Sequence, residues 1–123
     1  MNQWRRFYQE CVNTRGREIP VTLVGLEDGR VFGGVTIVAI DDIHDFSDYS
    51  PWIGALIVGE AFRGKNLGLV LMNAALAKVR LLGFQEVFLW TDSRDEWYRQ
   101  QNWVQIHCQQ FGMVNAVIMK YEV

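Results

Sequence analysis

An apolar run, a basic glycine-containing turn and an apolar-periodic stretch follow one another near the middle of this chain. Trp52 to Val58 is almost continuously apolar, and Arg63-Gly64-Lys65-Asn66-Leu67-Gly68 forms the turn. Leu67, Leu71, Ala75, Val79 and Leu82 then recur at helical spacing up to Gly83, a typical C-terminal stop. A strand therefore ends, turns and opens a helix. The first N–H groups of a helix lack internal partners, and its dipole adds partial positive charge at that end. Glycine lets a ligand come close to such a backbone, so the junction is built to receive an anion, most often a phosphate.

Around this junction the pattern is that of a mixed sheet. Residues 3–12 place Trp4, Phe7, Tyr8, Cys11 and Val12 on one side of a short amphipathic helix, which Pro20 prevents from continuing. Val21 to Leu26 is a strand, Asp28-Gly29 signals a hairpin turn, and the β-branched Val31 to Ile40 is its partner. A polar loop from Asp41 to Ser50 carries Asp41, Asp42, Asp45 and Asp48. Trp52 to Val58 has the composition of a strand covered on both faces. Glu86 to Asp92 is a further buried strand, after which Asp92 or Ser93 caps a short helix through Gln101. Trp103 to Gln109 and Val114 to Tyr121 close the chain as an antiparallel pair around Phe111-Gly112. The fold class is α/β, with an α+β mixed sheet.

No repeat or linker divides the 123 residues, so 1–123 is expected to be a single domain with an ample apolar core. A net charge of −2 gives no basic face for nucleic acid. No apolar run is long enough to span a membrane, and the N-terminus lacks a signal peptide's apolar stretch, so the expected location is cytoplasmic. Cys11 and Cys108 fit no metal spacing and are expected as reduced thiols. His44 and His107 stand apart and suggest neither a metal nor a triad.

Two phosphate sites compete for the turn. Gly59-Glu-Ala-Phe-Arg-Gly64-Lys65-Asn66 follows the nucleotide P-loop pattern except at its last residue, and Val87 to Asp92 resembles a magnesium-holding strand. The mismatch falls on the metal-ligating hydroxyl, for which the Asn66 amide is a poor substitute. The chain after the loop is also too short for the further parallel strands of that fold.

The second is a coenzyme A pyrophosphate cradle. Leu56-Ile57-Val58-Gly-Glu-Ala-Phe62-Arg63-Gly64-Lys65-Asn66-Leu67-Gly68 resembles the [RQ]-x-x-G-x-[GA] signature of the GNAT superfamily of N-acetyltransferases, with Asn66 where the first glycine is usual. Asp48-Tyr-Ser-Pro51-Trp52 looks like the lead-in of a small bacterial branch, and Phe111 to Met119 resembles its closing hairpin. Glu96-Trp97-Tyr98-Arg99-Gln-Gln-Asn102-Trp103 looks like the family's L-Y-x-x-x-G-[FW] segment, with Asn102 again in a glycine position. The resemblance runs from about Pro51 to Met119.

That resemblance implies a GNAT-like acyl-CoA N-acyltransferase fold and direct attack of a small-molecule or peptide amine on acetyl-CoA in a ternary complex, with no metal. Pantetheine would pair along Leu56, Ile57 and Val58, and the backbone of Arg63, Gly64, Lys65, Asn66, Leu67, Gly68 and Leu69 would hold the pyrophosphate. Tyr98 would protonate the departing thiolate, a suitable task for a phenol whose reference pKa is about 10. Packing of its helix onto the sheet is the plainer role for this aromatic. For the general base, Asp92, Glu60, Asp48, a water chain and deprotonation of the amine before binding all stand open. The acids from Asp41 to Asp48 with Asp92, Asp95 and Glu96 suggest a negative mouth for a cationic amine. Trp52, Trp90, Trp97 and Trp103 supply either acceptor walls or core. Only about twenty residues precede Val21, so the family's first strand is expected to be missing and one of its two early helices to remain. The acceptor site is then minimal, completed by a homodimer, or lost in a silent acyl-CoA-binding module.

Overall fold

The computed structural model describes residues 19–39 and 49–123 in full and the backbone of residues 5–11. Seven strands form one sheet: β1 (Arg5–Cys11), β2 (Val21–Glu27), β3 (Arg30–Val38), β4 (Trp52–Val58), β5 (Glu86–Thr91), β6 (Val104–Phe111) and β7 (Val114–Glu122). Their order is β1-β2-β3-β4-β5-β7-β6, and all neighbours are antiparallel except β4 and β5. Helix α1 (Leu67–Leu81) joins those two parallel strands, with a single 3-10 turn at Glu60–Phe62 before it. A short α2 (Asp95–Arg99) follows β5.

Alternation along the strands produces two apolar layers. Val21, Leu23, Val35, Ile37, Ile53, Val87, Leu89, Val117 and Met119 are buried on one face. They meet Leu67, Leu71, Met72, Ala75, Leu76 and Val79 of α1, each larger side chain contributing about 1.5–3 kcal/mol by leaving water. On the other face Trp52, Phe88, Ala116 and Ile118 form a smaller cluster. Tyr49 lies stacked on Phe88 with centroids 4.6 Å apart, and its hydroxyl is 2.8 Å from His107 Nε2. His107 is thus a strand residue held by a neighbour. Helix α1 stops where expected: Gly83, at φ 91°, directs its N–H to Arg80 O while Phe84 N–H reaches Val79 O.

Three expectations need correction. Residues 3–12 are not an amphipathic helix, because Arg5–Cys11 pairs in unbroken register with β2, from Arg5↔Glu27 to Cys11↔Val21. Seven residues barely nucleate a helix, whereas an open β2 edge offers backbone partners along the whole segment. The first strand is accordingly present, and residues 12–18 lie outside the described residues. The second correction concerns β4. Only Trp52 and Ile53 are buried, while Ile57 is 64% exposed. The third is the cap of the last helix, which starts at Asp95 and not at Asp92 or Ser93; Thr91 Oγ1 accepts the Arg94 N–H at 3.0 Å. The acidic loop from Asp41 to Asp48 lies outside the described residues. Among the described residues no helix is long and apolar enough to cross a membrane.

A bulge explains how β4 comes to be half-covered, and a second one lies between β2 and β3. Opposite Thr36 and Ile37 of β3, β4 carries Gly54 as an extra residue. Such a bulge bends a strand and increases its twist. Past it, β4 turns away from β5, and Trp52↔Phe88 is the single residue pair joining them. On β3, Phe32 is the extra residue opposite Gly25 and Leu26, and its buried ring fills the space beside Gly25. Gly33 lies so close to β4 that a Cβ would stand 2.2 Å from Ile57 O and 3.0 Å from Leu71 Cδ1. Gly33→Ala should therefore lower stability by about 1–3 kcal/mol, read as a drop in melting temperature. Gly54→Ala, whose Cβ would meet Val38 at 3.4 Å and Thr36 O at 3.9 Å, should lose distinctly less in the same experiment.

Candidate active site

Where β4 and β5 part, a cavity of about 840 Å³ opens between the end of β4, the following loop and α2. The volume lies within the range of small-ligand sites. Leu56, Ile57 and Val58 form one wall, with one backbone edge paired to β3 and the other turned toward the gap. Arg63, Gly64, Asn66, Leu67, Gly68 and Leu69 line the adjoining end. Val70 N–H is the first to find a helical acceptor, Asn66 O at 3.3 Å, so those of Leu67, Gly68 and Leu69 have no intrahelical partner. No acidic side chain occupies this first turn. The helix end is thus left with its partial positive charge directed into the cavity.

Asn66 and Asn102, the two asparagines in usual glycine positions, both take the left-handed conformation, with φ 59° and 73°. Asparagine adopts it at less cost than most side chains. Asn66 starts α1 from there, and Asn102 ends α2 in a Schellman arrangement: Trp103 N–H reaches Tyr98 O at 3.1 Å and Asn102 N–H reaches Arg99 O at 3.1 Å. Gly64, at φ 84°, has open space where a Cβ would stand. A Cβ on Gly68 would come within 3.8 Å of both the Trp97 ring and Val58, narrowing the mouth between them.

Tyr98 lies on the opposite wall. Its ring packs edge-on against Trp97 and Trp103, with centroids 5.0 and 6.0 Å away. Burial raises its phenol above the usual value of 10.0, and the nearby Arg94 charge opposes that rise. The packing role and the cavity-facing role therefore coincide in one side chain. Arg94, Gln100, Gln101 and Phe62 also line the cavity, and sequence reasoning missed them; Trp97, expected as either wall or core, lines it too. Arg94, Trp97, Tyr98 and Gln101 are spaced i, i+3, i+4 and i+7, the one-face pattern that would have revealed most of the set.

Lys65 is the exception among the loop residues. It does not line the cavity, and its Nζ sits 5.8 Å from the Phe62 ring centroid. The negative mouth is also reduced, because Asp95 and Glu96 pair with Arg99 on the exposed side of α2. Of the base candidates, Glu60 and Asp92 are exposed and neither borders the cavity, while Asp48 lies outside the described residues. Trp52 and Trp103 are core, Trp90 is half-buried against the smaller cluster, and only Trp97 walls the cavity.

A sheet whose two parallel strands separate beside a helix N-terminus defines a recognisable class, and the sequence agrees with it. The family model for the acetyltransferase (GNAT) family matches residues 2–101. The chain belongs to the acetyltransferase (GNAT) family and stands among its N-acetyltransferases. Solved structures with the same fold include Ard1 from Thermoplasma volcanium, 23% identical with a TM-score of 0.67, over 83% of this chain and 70% of that one. An acyl-CoA N-acyltransferase from Pseudomonas aeruginosa is 22% identical with a TM-score of 0.64, over 85% and 72%. A GNAT family acetyltransferase from Elizabethkingia anophelis with acetyl-CoA bound superimposes over 97% of this chain and 98% of its own at a TM-score of 0.66, with 9% identity. The fold thus also exists elsewhere at this compact size. No curated protein sequence matches the chain.

The αL geometry at Asn102 makes a direct prediction. Asn102→Ala should destabilise by about 1 kcal/mol, and Asn102→Gly should hold or gain stability, as measured by urea denaturation.

Proposed function

We propose that residues 1–123 act as one domain that transfers the acetyl group of acetyl-CoA to a primary amine, on a small molecule or a peptide, by direct attack in a ternary complex. The observation that carries this reading is the open backbone edge of β4 leading to the unpartnered N–H groups of α1. An extended amide-bearing arm can add to such an edge as a strand would, with a pyrophosphate at the helix terminus. Arg63, whose Nε lies 3.4 Å from Val58 O, brings a full positive charge to the same end. That pattern suits coenzyme A better than a nucleotide with magnesium, since Asn66 gives its backbone to an αL turn and offers no hydroxyl for the metal.

In this reading the neutral amine attacks the thioester carbonyl, a C–N bond forms and the C–S bond breaks. Tyr98 gives its proton to the leaving thiolate, and the amine's surplus proton passes to water. A buried phenol with a raised pKa stays protonated throughout the neutral range, as a general acid must. Arg94, one helical turn away and lining the same cavity, favours the phenolate that remains.

Coenzyme A should raise the melting temperature, a hundredfold excess over Kd adding about 2.7 kcal/mol, and ATP with magnesium should not. The reverse result would restore the nucleotide reading. Tyr98→Phe should bind coenzyme A normally and lower kcat by about 10²–10⁴-fold with any accepted amine. Unchanged turnover would remove Tyr98 from the acid role. For the wild type, kcat should show no loss attributable to Tyr98 until pH exceeds the ordinary tyrosine range, because its pKa is raised and the acid form is the active one. Coenzyme binding without thiol release across a panel of amines would favour a silent acyl-CoA-binding module.

A further inference from the structure

Among the described residues the cavity is lined by charge of one sign. Arg63 and Arg94 border it together with the uncharged Asn66, Gln100 and Gln101, and no carboxylate does. Arg63 belongs to the loop end, where its Nε lies 3.4 Å from Val58 O. Arg94 belongs to the α2 wall. Tyr98 N–H reaches the Arg94 carbonyl at 3.3 Å, so the two side chains stand one helical turn apart on the same face. The acids beside Arg94 in the sequence are engaged elsewhere. Asp95 and Glu96 pair with Arg99, and Asp92 Oδ1 accepts the Ser93 hydroxyl at 3.2 Å. Among the described residues, then, the Arg94 guanidinium has no carboxylate partner, although three acids lie within two positions of it.

We infer that the Arg94 guanidinium receives a carboxylate carried by the acceptor, so that the amine substrate is an amino acid with its carboxylate free. The inference rests on the acetyl-transfer reading of the cavity and names the class of its acceptor. Coenzyme A leaves this cation unmatched. Its negative charges are all phosphates, which that reading assigns to Arg63 and the first N–H groups of α1, whereas the arm that leads to the thioester is uncharged. Arg94 acts at the thioester end, because its charge bears on the Tyr98 phenol that faces the leaving thiolate. An anion at that end therefore arrives with the acceptor. The guanidinium fork matches a carboxylate with two parallel hydrogen bonds, which fixes orientation as well as position. In an amino acid the amine and the carboxylate share one carbon. A carboxylate held by Arg94 thus keeps the nitrogen a few bonds away, on the wall that carries Tyr98. A positive charge beside the amine also weakens its hold on its proton and favours the neutral nucleophile.

The test measures thiol release from acetyl-CoA with free amino acids and with their carboxamides, in which an amide replaces the carboxylate. For the best acceptor the acid should exceed its carboxamide in kcat/KM by about tenfold to a hundredfold, chiefly through KM, as charge-assisted hydrogen bonds allow. Intrinsic reactivity runs the other way, because the carboxamide's amine is less basic and more of it is neutral. The preference should shrink as salt rises, since Arg94 is exposed. Arg94→Gln should bring the acid-to-carboxamide ratio to about one. The support that Arg94 gives the Tyr98 phenolate acts on both acceptors alike and cancels in that ratio. Arg94→Lys, a point charge without the fork, should keep part of the preference. Equal use of acid and carboxamide by wild type, a preference that survives in Arg94→Gln, or turnover of other amines but of no amino acid would overturn the acceptor assignment alone. No thiol release with any amine while coenzyme A still binds would overturn the transfer reading, and the assignment with it.

Discussion

The parting of β4 from β5 is the constraint on which the site depends, and it originates in one extra residue. Gly54 adds to β4 a position that β3 does not match, and the strand bends there. Before the bend Trp52 pairs with Phe88 and is fully buried; after it Leu56, Ile57 and Val58 keep a single strand partner. An unpaired edge is ordinarily a hazard in a sheet. Here it becomes one wall of a cavity, with α2 and its Trp97 and Tyr98 forming the other. Gly33 keeps β3 close enough to β4 to hold the bent strand, and α1 presses Leu67 and Leu71 into the core beneath it. The N-terminus of α1 is thereby fixed at the end of the gap.

The two asparagines in glycine positions show how the cradle survives a departure from its usual residues. What the backbone requires at both places is a positive φ, and asparagine supplies it at modest cost. At Asn66 this starts α1 at the correct angle, and at Asn102 it closes α2 so that Trp103 enters the core. The requirement is conformational, so residue identity alone was a poor guide to whether the site was intact.

Much of the site was legible because it is local. The apolar run, the basic turn and the helix are consecutive, and their chemistry follows from backbone groups that every such junction exposes. Arg63, Gly64 and Asn66 to Leu69 needed no tertiary information, and Tyr98 was reached by resemblance. The N-terminus was misread for the opposite reason. Trp4, Phe7, Tyr8 and Cys11 satisfy a helical period, and only the open edge of β2 decided for a strand. Gly54, a lone glycine within an apolar strand, was a signal of the bulge that composition obscured. Arg30, whose guanidinium lies 5.3 Å from the Phe62 ring centroid, could not have been placed there from any local pattern, since a hairpin turn and a distant loop meet only through the sheet.

By itself, the sequence determined the class of architecture, the position of the anion-binding turn and the family to which the chain belongs. These follow from periodicity and from motifs whose members are neighbours along the chain. Tertiary structure alone decided that β4 is bare over half its length, that Arg94, Trp97 and Gln101 share a wall with Tyr98, and that Lys65 faces Phe62 and not the cavity. Strand pairing, bulge register and the side from which a cation approaches a ring arise between segments remote in sequence. They are settled by which backbone edges and apolar faces are left to be covered, a property of the assembled sheet.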